Sequence, residues 1–319
     1  MKNKILVTGA SGFVGKHLIQ KLLSMDFSII AISRNIHKSQ SNIKWVQADI
    51  TKDNLFQEMQ DVEYIFHLAA ELSESNNLYE VNVEATASIV KSAIKANVSK
   101  FIYISSIAAG EVNIDNKIVI DETNGSPISK YGISKLEGEN QLKLIAESKI
   151  EYIIYRPTAL FGEEHLGSFY DFVKVIKSKR YVQIGNGKNP VNFLYIKDFI
   201  EYITSVSFSN QYNETFIINH ECTSLSEFTE YITDKLRLPK YRYFIPYHIG
   251  IIIGYIAELL QKYLKVNLPI SRKRVKAIVR NCYYSPSKVN SINLKVESIG
   301  IEKGVQNTID YFEKKKSYE

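Results

Sequence analysis

Tyr131 and Lys135 stand four residues apart at the head of a stretch with helical spacing, Tyr131-Gly-Ile-Ser-Lys135. Side chains four apart share one helix face, so a phenol and an ammonium can point into the same site. A tyrosine with its ordinary pKa of about 10 is a poor proton donor or acceptor at neutral pH. A lysine cation beside it favours the phenolate and lowers that pKa. Upstream, Ser105-Ser106 ends the apolar run that begins at Lys100. Hydroxyls there could hold a carbonyl or alcohol oxygen beside the tyrosine.

These groups need a frame, and the frame begins at the N-terminus with KNKILVTGASGFVG, Lys2 to Gly15. Ile5, Leu6 and Val7 form a short apolar run. A turn with Gly9, Gly12 and Gly15 follows, and then a helical pattern through Val14, Leu18, Leu22 and Leu23. Strand, glycine turn and helix place a phosphate at a helix N-terminus, where unpaired N–H groups and the helix dipole favour negative charge. The glycines supply a tight turn, room for a pyrophosphate and close helix–strand packing. Such a turn delivers a nicotinamide to the strand edge that carries the serines, and its positive charge when oxidised adds to that of Lys135. A Tyr-x-x-x-Lys pair says little in a chain with 21 tyrosines. The order of glycine turn, then Ser-Ser, then Tyr and Lys on the next helix is what carries weight.

Between these motifs, short apolar runs read as strands at Ser28–Ile32, Lys44–Gln47, Val62–His67, Lys100–Ser105 and Glu151–Arg156. Helical spacing covers about Leu78–Ala96 and Tyr131–Glu147. This alternation predicts an α/β fold, a Rossmann-type doubly wound parallel sheet with ligands bound at the strand C-terminal edge. The regular pattern stops at Pro157. Residues 1–157 are expected to form the dinucleotide-binding domain. Residues 158–319 are mainly a smaller C-terminal α/β substrate-binding region, with returns to the sheet at about 191–220. That region has helical patterns near Phe169–Ser178, Lys197–Ser205, Leu225–Leu236 and Gly250–Leu264, and short strands at Val191–Ile196 and Thr215–Asn219.

Across 319 residues, a net charge of +6 with 23% charged and 45% hydrophobic residues is ordinary for a globular protein. The basic stretches Arg272, Lys273, Arg274, Lys276, Arg280 and Lys314–Lys316 read as solvated surface, with a patch that attracts anionic substrate or lipid head groups as the alternative, and no nucleic-acid partner or metal is expected. Two cysteines, Cys222 and Cys282, fit a reducing cytosol, and the expected location is cytoplasmic. Lys2 and Lys4 lead straight into a strand, not into a signal peptide. No apolar run reaches the roughly 20 residues of a membrane span. The nearest, Tyr247–Leu260, carries Glu258 and reads as a buried helix, with membrane-surface contact as the alternative.

At this point the sequence resembles the extended short-chain dehydrogenase/reductase family of NAD(P)-dependent epimerases, dehydratases and reductases. The resemblance runs through VTGASGFVG (Val7–Gly15), HLAA (His67–Ala70), VNVEATASIV (Val81–Val90) and YISS (Tyr103–Ser106). It continues through YGISKLEGE (Tyr131–Glu139), RPTALFG (Arg156–Gly162) and the FLYIKD stretch ending at Asp198. It implies that Tyr131 is the general acid/base, that Lys135 tunes it and grips the nicotinamide ribose, and that Ser106, rather than Ser105, polarises the substrate oxygen. The dinucleotide would meet Gly9, Ser11, Gly12, Phe13, Val14 and Gly15 of the turn, then Ser33 and Arg34. Asp49 and Ile50 would lie along the adenine. Leu68, Ala69, Ala70, Asn82, Ser105, Tyr131, Lys135, Pro157, Thr158 and Ala159 complete the set. The helices at Leu78–Ala96 and Tyr131–Glu147 would pair two copies as a homodimer.

An acid at the end of the second strand indicates NAD, whereas an arginine accommodates the 2′-phosphate of NADP. Ser33-Arg34-Asn35 and Lys38 contain no acid, so NADP is preferred over NAD. Nucleotide-sugar members often carry a phosphate-binding arginine where this chain has Val191 or Asn192, with Lys179, Arg180, Lys188 or Arg272 as candidate substitutes. The Gly185-x-Gly-x-Asn189 spacing, Pro246–Leu264 and the Leu268–Pro269 turn before a basic helix look closer to the dihydroflavonol reductase and 3β-hydroxysteroid dehydrogenase branch. Hydride transfer at C4 of a nucleotide-activated sugar ranks first. Reduction or oxidation of a hydrophobic, sterol- or flavonoid-like alcohol ranks second. A dinucleotide-binding regulator without turnover ranks last, because Tyr131 and Lys135 are present.

Overall fold

A computed structural model describes residues 3–73, 75–111, 117–120, 125–240, 244–264 and 270–316. The Leu268–Pro269 turn and parts of the loop before Gly125 lie outside the described residues. The N-terminal half runs β1 (Lys4–Thr8), α1 (Phe13–Ser24), β2 (Ser28–Ser33), β3 (Ile43–Gln47), β4 (Val62–His67), α2 (Thr86–Lys95), β5 (Lys100–Ile104), β6 (Lys117–Val119), α3 (Lys130–Ala146) and β7 (Glu151–Pro157). A π-helical turn, Glu80–Ala85, leads into α2. The C-terminal half adds β8 (Ala159–Phe161), α4 (Ser168–Lys177), β9 (Gln183–Ile184), β10 (Pro190–Val191), β11 (Phe193–Tyr195), α5 (Ile196–Ser207) and β12 (Glu214–Ile218). It ends with β13 (Thr223–Ser224), α6 (Leu225–Lys235), β14 (Phe244–Ile245), α7 (Tyr247–Leu264), α8 (Arg272–Ile278), β15 (Cys282–Tyr284), α9 (Ser287–Ser291) and α10 (Ile301–Lys316).

The main sheet is parallel, in the order β12-β7-β5-β4-β1-β2-β3. From β1 the chain winds outward through β2 and β3. It then crosses back and winds the other way from β4. The crevice at this reversal, beyond the C-terminal ends of β1 and β4, is where such sheets bind ligands. Strand β1 shows why the sheet is covered on both faces. Ile5 and Val7 enter a core with Leu18 and Leu22 of α1 and Phe199 and Ile203 of α5. Leu6 points the other way, among Ile89, Val90, Leu142 and Ala146 of α2 and α3.

His67, at the end of β4, locks this edge. Its Nδ1 lies 2.7 Å from Thr8 Oγ1 and its Nε2 3.0 Å from Thr86 Oγ1. The Thr86 hydroxyl already donates to the Asn82 carbonyl, so His67 Nε2–H donates to Thr86 and Nδ1 accepts from Thr8. Burial, and then the charge of Lys135, pull the imidazole pKa down to about 3. The folded state therefore holds neutral histidine, and this stability is full above pH 6.5 and lost as pH falls from 6.5 toward 3. Between pH 7 and 4.5, wild type is expected to lose about 2–3 kcal/mol more than His67→Gln in urea unfolding.

Two elements depart from expectation. Helix α10 buries Val305, Ile309 and Phe312 in the first core, although the sequence pattern did not single it out. Its entry is fixed by Asp198, whose carboxylate accepts the amides of Ile299 (2.6 Å) and Gly300 (3.0 Å). The expected buried helix at Tyr247–Leu260 is corrected: α7 leaves Ile252, Ile253, Ile256 and Leu260 exposed. It packs through Gly250, Gly254 and Ala257 instead, and a Cβ on Gly254 would lie 2.8 Å from the Arg272 amide nitrogen.

Candidate active site

At the strand reversal, the backbone makes the glycine turn compulsory. Gly9 adopts φ +65°, and a Cβ there would stand 2.8 Å from the Ala69 nitrogen. A Cβ on Gly15 would stand 2.4 Å from the Gly9 carbonyl oxygen. Gly12 caps α1 with no side-chain hydrogen bond and no acid in the first turn, so the helix offers its positive end to an anion. In front of it lies a cavity of about 500 Å³. Ser11, Phe13 and Val14 line it with the glycines. Ser33, Arg34, Asp49 and Ile50 form one flank, Leu68, Ala69 and Ala70 the floor, and Ser105, Ser106, Tyr131, Pro157 and Thr158 the far wall. Of the sequence-predicted residues, Asn82, Lys135 and Ala159 stand outside this wall. A tight glycine cradle and a cap-free helix end fit a dinucleotide pyrophosphate.

The flank after β2 is rich in donors. Ser33 Oγ lies 3.1 Å from Ser11 Oγ and 3.2 Å from His37 Nε2, and the His37 ring stacks on Trp45 at 4.2 Å. The nearby acid, Asp49, turns to the Thr51 amide (3.0 Å) and hydroxyl (2.9 Å), and these bonds hold its carboxyl below the usual range.

The far wall is built by two capped turns. Ser129 Oγ accepts the Gly132 amide at 3.0 Å and starts α3. Ser106 Oγ accepts the Ala108 amide at 3.2 Å and starts the short turn Ile107–Gly110. A Cβ on Gly132 would stand 2.5 Å from the Ala108 carbonyl oxygen, so the two turns touch and set Tyr131 beside Ser106, whose hydroxyl lowers the phenol pKa. Ser105, by contrast, donates to Glu139 Oε1 at 2.6 Å. Lys135 is fully enclosed. Its Nζ donates to the Ile104 carbonyl at 2.9 Å and lies 4.2 Å over the Tyr103 ring.

Burial pulls the Lys135 pKa down to about 7, opposed by Glu139. Burial pushes the Tyr131 phenol up, opposed by its Ser106 bond. Burial and Ser106, not Lys135, are the groups that move the phenol in the protein without its dinucleotide, and the Lys135 Nζ is engaged with strand β5.

Three residues of this wall carried no sequence signal as a unit. Glu139 is fully buried on α3, and Arg156 of β7 grips it through Nε (2.9 Å) and Nη2 (2.6 Å). Ser105 completes the set. Asn82 works from behind: its side chain bonds both backbone groups of Glu71 and the Ser134 hydroxyl, tying the loop after β4 to α3.

With this geometry in place, residues 5–217 match the model of the NAD dependent epimerase/dehydratase family. The chain belongs to that family. It is similar over 98% of its length to an N-acetyl-alpha-D-glucosaminyl-diphospho-ditrans,octacis-undecaprenol 4-epimerase of Escherichia coli O157:H7, at 26% identity and 96% of that protein. A putative dihydroflavonol 4-reductase of a Synechocystis strain is 25% identical over 94% of this chain and 92% of its own. Among solved structures, the UDP-glucuronic acid 4-epimerase of Bacillus cereus, in complex with NAD, shares the fold. Its TM-score is 0.76 at 20% identity, covering 99% of this chain and all of that one. The protein is thus an NAD-dependent enzyme of the short-chain dehydrogenase/reductase type.

The positions expected to match a phosphate-binding arginine, Val191 and Asn192, are both part of the packed structure. Val191 lies in β10, paired with β13. Asn192 is spent on structure: its Oδ1 accepts the Tyr284 amide (3.2 Å) and Asn219 Nδ2 (3.1 Å), and its Nδ2 donates to the Cys282 carbonyl (2.8 Å). Of the candidate substitutes, Arg272 is engaged by Glu258 at 2.7 Å.

Proposed function

We propose that this enzyme moves a hydride at C4 of a nucleotide-activated sugar, as a 4-ketoreductase or 4-epimerase, and prefers NADP to NAD. The observation that carries this reading is the single cleft that joins the cap-free N-terminus of α1 to the Tyr131–Ser106 pair. The E. coli relative, named as a 4-epimerase acting on a diphosphate-linked sugar, supports C4. Bound in the cleft, the dinucleotide supplies or accepts the hydride. Tyr131, kept protonated by burial, gives its proton to the substrate oxygen in reduction and takes it back in oxidation. The Ser106 hydroxyl polarises that oxygen, and Lys135 holds the ribose side. Arg34, with Ser33 and Ser11, faces the 2′-phosphate. Two copies pair through α2 and α3, whose surface exposes Ile133 and Leu144. Val191 or Asn192 in place of an arginine favours the second reading, a hydrophobic ketone or alcohol.

Purified enzyme is assayed with NADPH and NADH against UDP- and dTDP-4-keto sugars, and the dinucleotide released on denaturation is identified. The expected result is a KM for NADPH at least about tenfold below that for NADH, a preference erased by Arg34→Ala. An epimerase retains its dinucleotide and consumes none. Preference for NADH in wild type overturns the NADP assignment. Turnover confined to hydrophobic ketones moves the enzyme to the second reading.

A further inference from the structure

The surface least explained by the fold or by hydride transfer is on α7. Ile249, Ile252, Ile253, Ile256, Leu260 and Tyr263 are all exposed, Ile252 at 56% and Tyr263 at 73%. At about 100° per residue they fall within one stripe roughly 100° wide. Gly250, Gly254 and Ala257 are buried on another side of the helix, against β9 and α8, where a Cβ on Gly250 would meet Ile184 at 2.8 Å and Val275 at 3.3 Å. The helix therefore has two apolar faces, and the described fold uses one.

Beside it, α8 exposes Arg272, Lys273, Arg274 and Lys276. The only carboxylate on the two helices, Glu258, is taken by Arg272, whose guanidinium also covers the Tyr255 ring at 4.9 Å. Among the described residues no carboxylate pairs with Lys273 or Lys276.

We propose that the α7–α8 pair docks the protein on the surface of an anionic lipid bilayer, the isoleucine stripe entering the head-group region and the α8 lysines meeting lipid phosphates. An apolar stripe flanked by basic residues lies in the plane of such an interface. No described helix is long and apolar enough to cross it, so the contact is with one face. A second copy covering the same stripe would set two strongly basic helix pairs against each other, whereas an anionic surface satisfies both stripe and charge. The dock is braced against the catalytic side. Arg280, just past α8, donates to Glu111 Oε1 at 3.0 Å, and the Ile278 carbonyl accepts Asn189 Nδ2 at 2.9 Å. Glu111 follows the Ser106 turn directly, and Asn189 immediately precedes β10.

Full-length protein is sedimented with phosphatidylcholine vesicles that contain or lack phosphatidylglycerol. Wild type is expected to pellet with the anionic vesicles and to be released by high salt. Ile252→Glu/Ile256→Glu and Lys273→Glu/Lys276→Glu are each expected to lower partitioning at least about tenfold. All four positions are exposed, and far-UV circular dichroism with dinucleotide binding should show both variants folded. The readout needs no turnover, so it stands or fails apart from the hydride-transfer proposal. Wild type remaining in the supernatant, or either folded variant partitioning unchanged, overturns the dock. Conversion of a dimer to monomer by the isoleucine variant without loss of vesicle binding also overturns it, and makes the stripe an interface between copies.

Discussion

Tyr131→Phe is expected to lower kcat by about a hundred- to ten-thousandfold, the range of a lost general acid–base, while dinucleotide affinity changes by less than about twofold. The substitution removes one oxygen from a side chain whose helix start is held independently by Ser129. Ser106 keeps its bond from the Ala108 amide, so the opposite turn keeps its shape. The pH profile gives a second readout. Burial holds the phenol above its ordinary value, so it is protonated at neutrality and poised to donate. Reduction should fall as pH rises through that elevated pKa, and oxidation should rise. Phenylalanine abolishes both limbs. Activity within tenfold of wild type would remove Tyr131 from the acid–base role.

That expectation shows how sequence and structure divide the work. Helical spacing put Tyr131 and Lys135 on one face, and the order of motifs put both near Ser106. Spacing cannot say where a long flexible side chain ends. The Lys135 Nζ finds the Ile104 carbonyl and the Tyr103 face, and it is burial that holds the phenol high. The strands of the main sheet were legible because both faces are covered and their runs are continuously apolar, as at Ile5–Val7 and Phe101–Ile104. Helix α10 was not, partly because Gly304 interrupts its pattern. That glycine is required by Tyr195, whose ring would lie 2.6 Å from a Cβ. Hydropathy marked α7 as apolar but could not show which side the fold would cover. The two serines have different partners that spacing could not reveal: Ser105 is bound to Glu139, far along the chain, which supports Ser106 as the serine beside the tyrosine.

Glu139 and Arg156 read in the sequence as a charge on an amphipathic helix and a charge at a strand end. Folded, they are a bidentate pair with no exposure of the carboxylate. A buried pair of this kind adds little against an apolar replacement, but removing one partner strands the other, at a cost of about 3–5 kcal/mol. Arg156→Met should therefore destabilise by that amount in urea unfolding at pH 7. Glu139→Gln strands the guanidinium instead and should cost a similar amount. The double variant Glu139→Gln/Arg156→Met should be far less unstable than the sum, because neither charge of the pair remains to be stranded. Near-additive losses would mean that the pair acts through separate contacts. Activity should not recover with stability. Glu139 also holds the Ser105 hydroxyl and is the charge that opposes the depression of Lys135. Losing it leaves Lys135 with burial alone, drives the lysine further toward its neutral form and loosens the strand end that presents Ser106. A double variant that folds well yet turns over poorly would separate the two roles of the pair, one in holding α3 to β7 and one in setting the charge behind the catalytic wall.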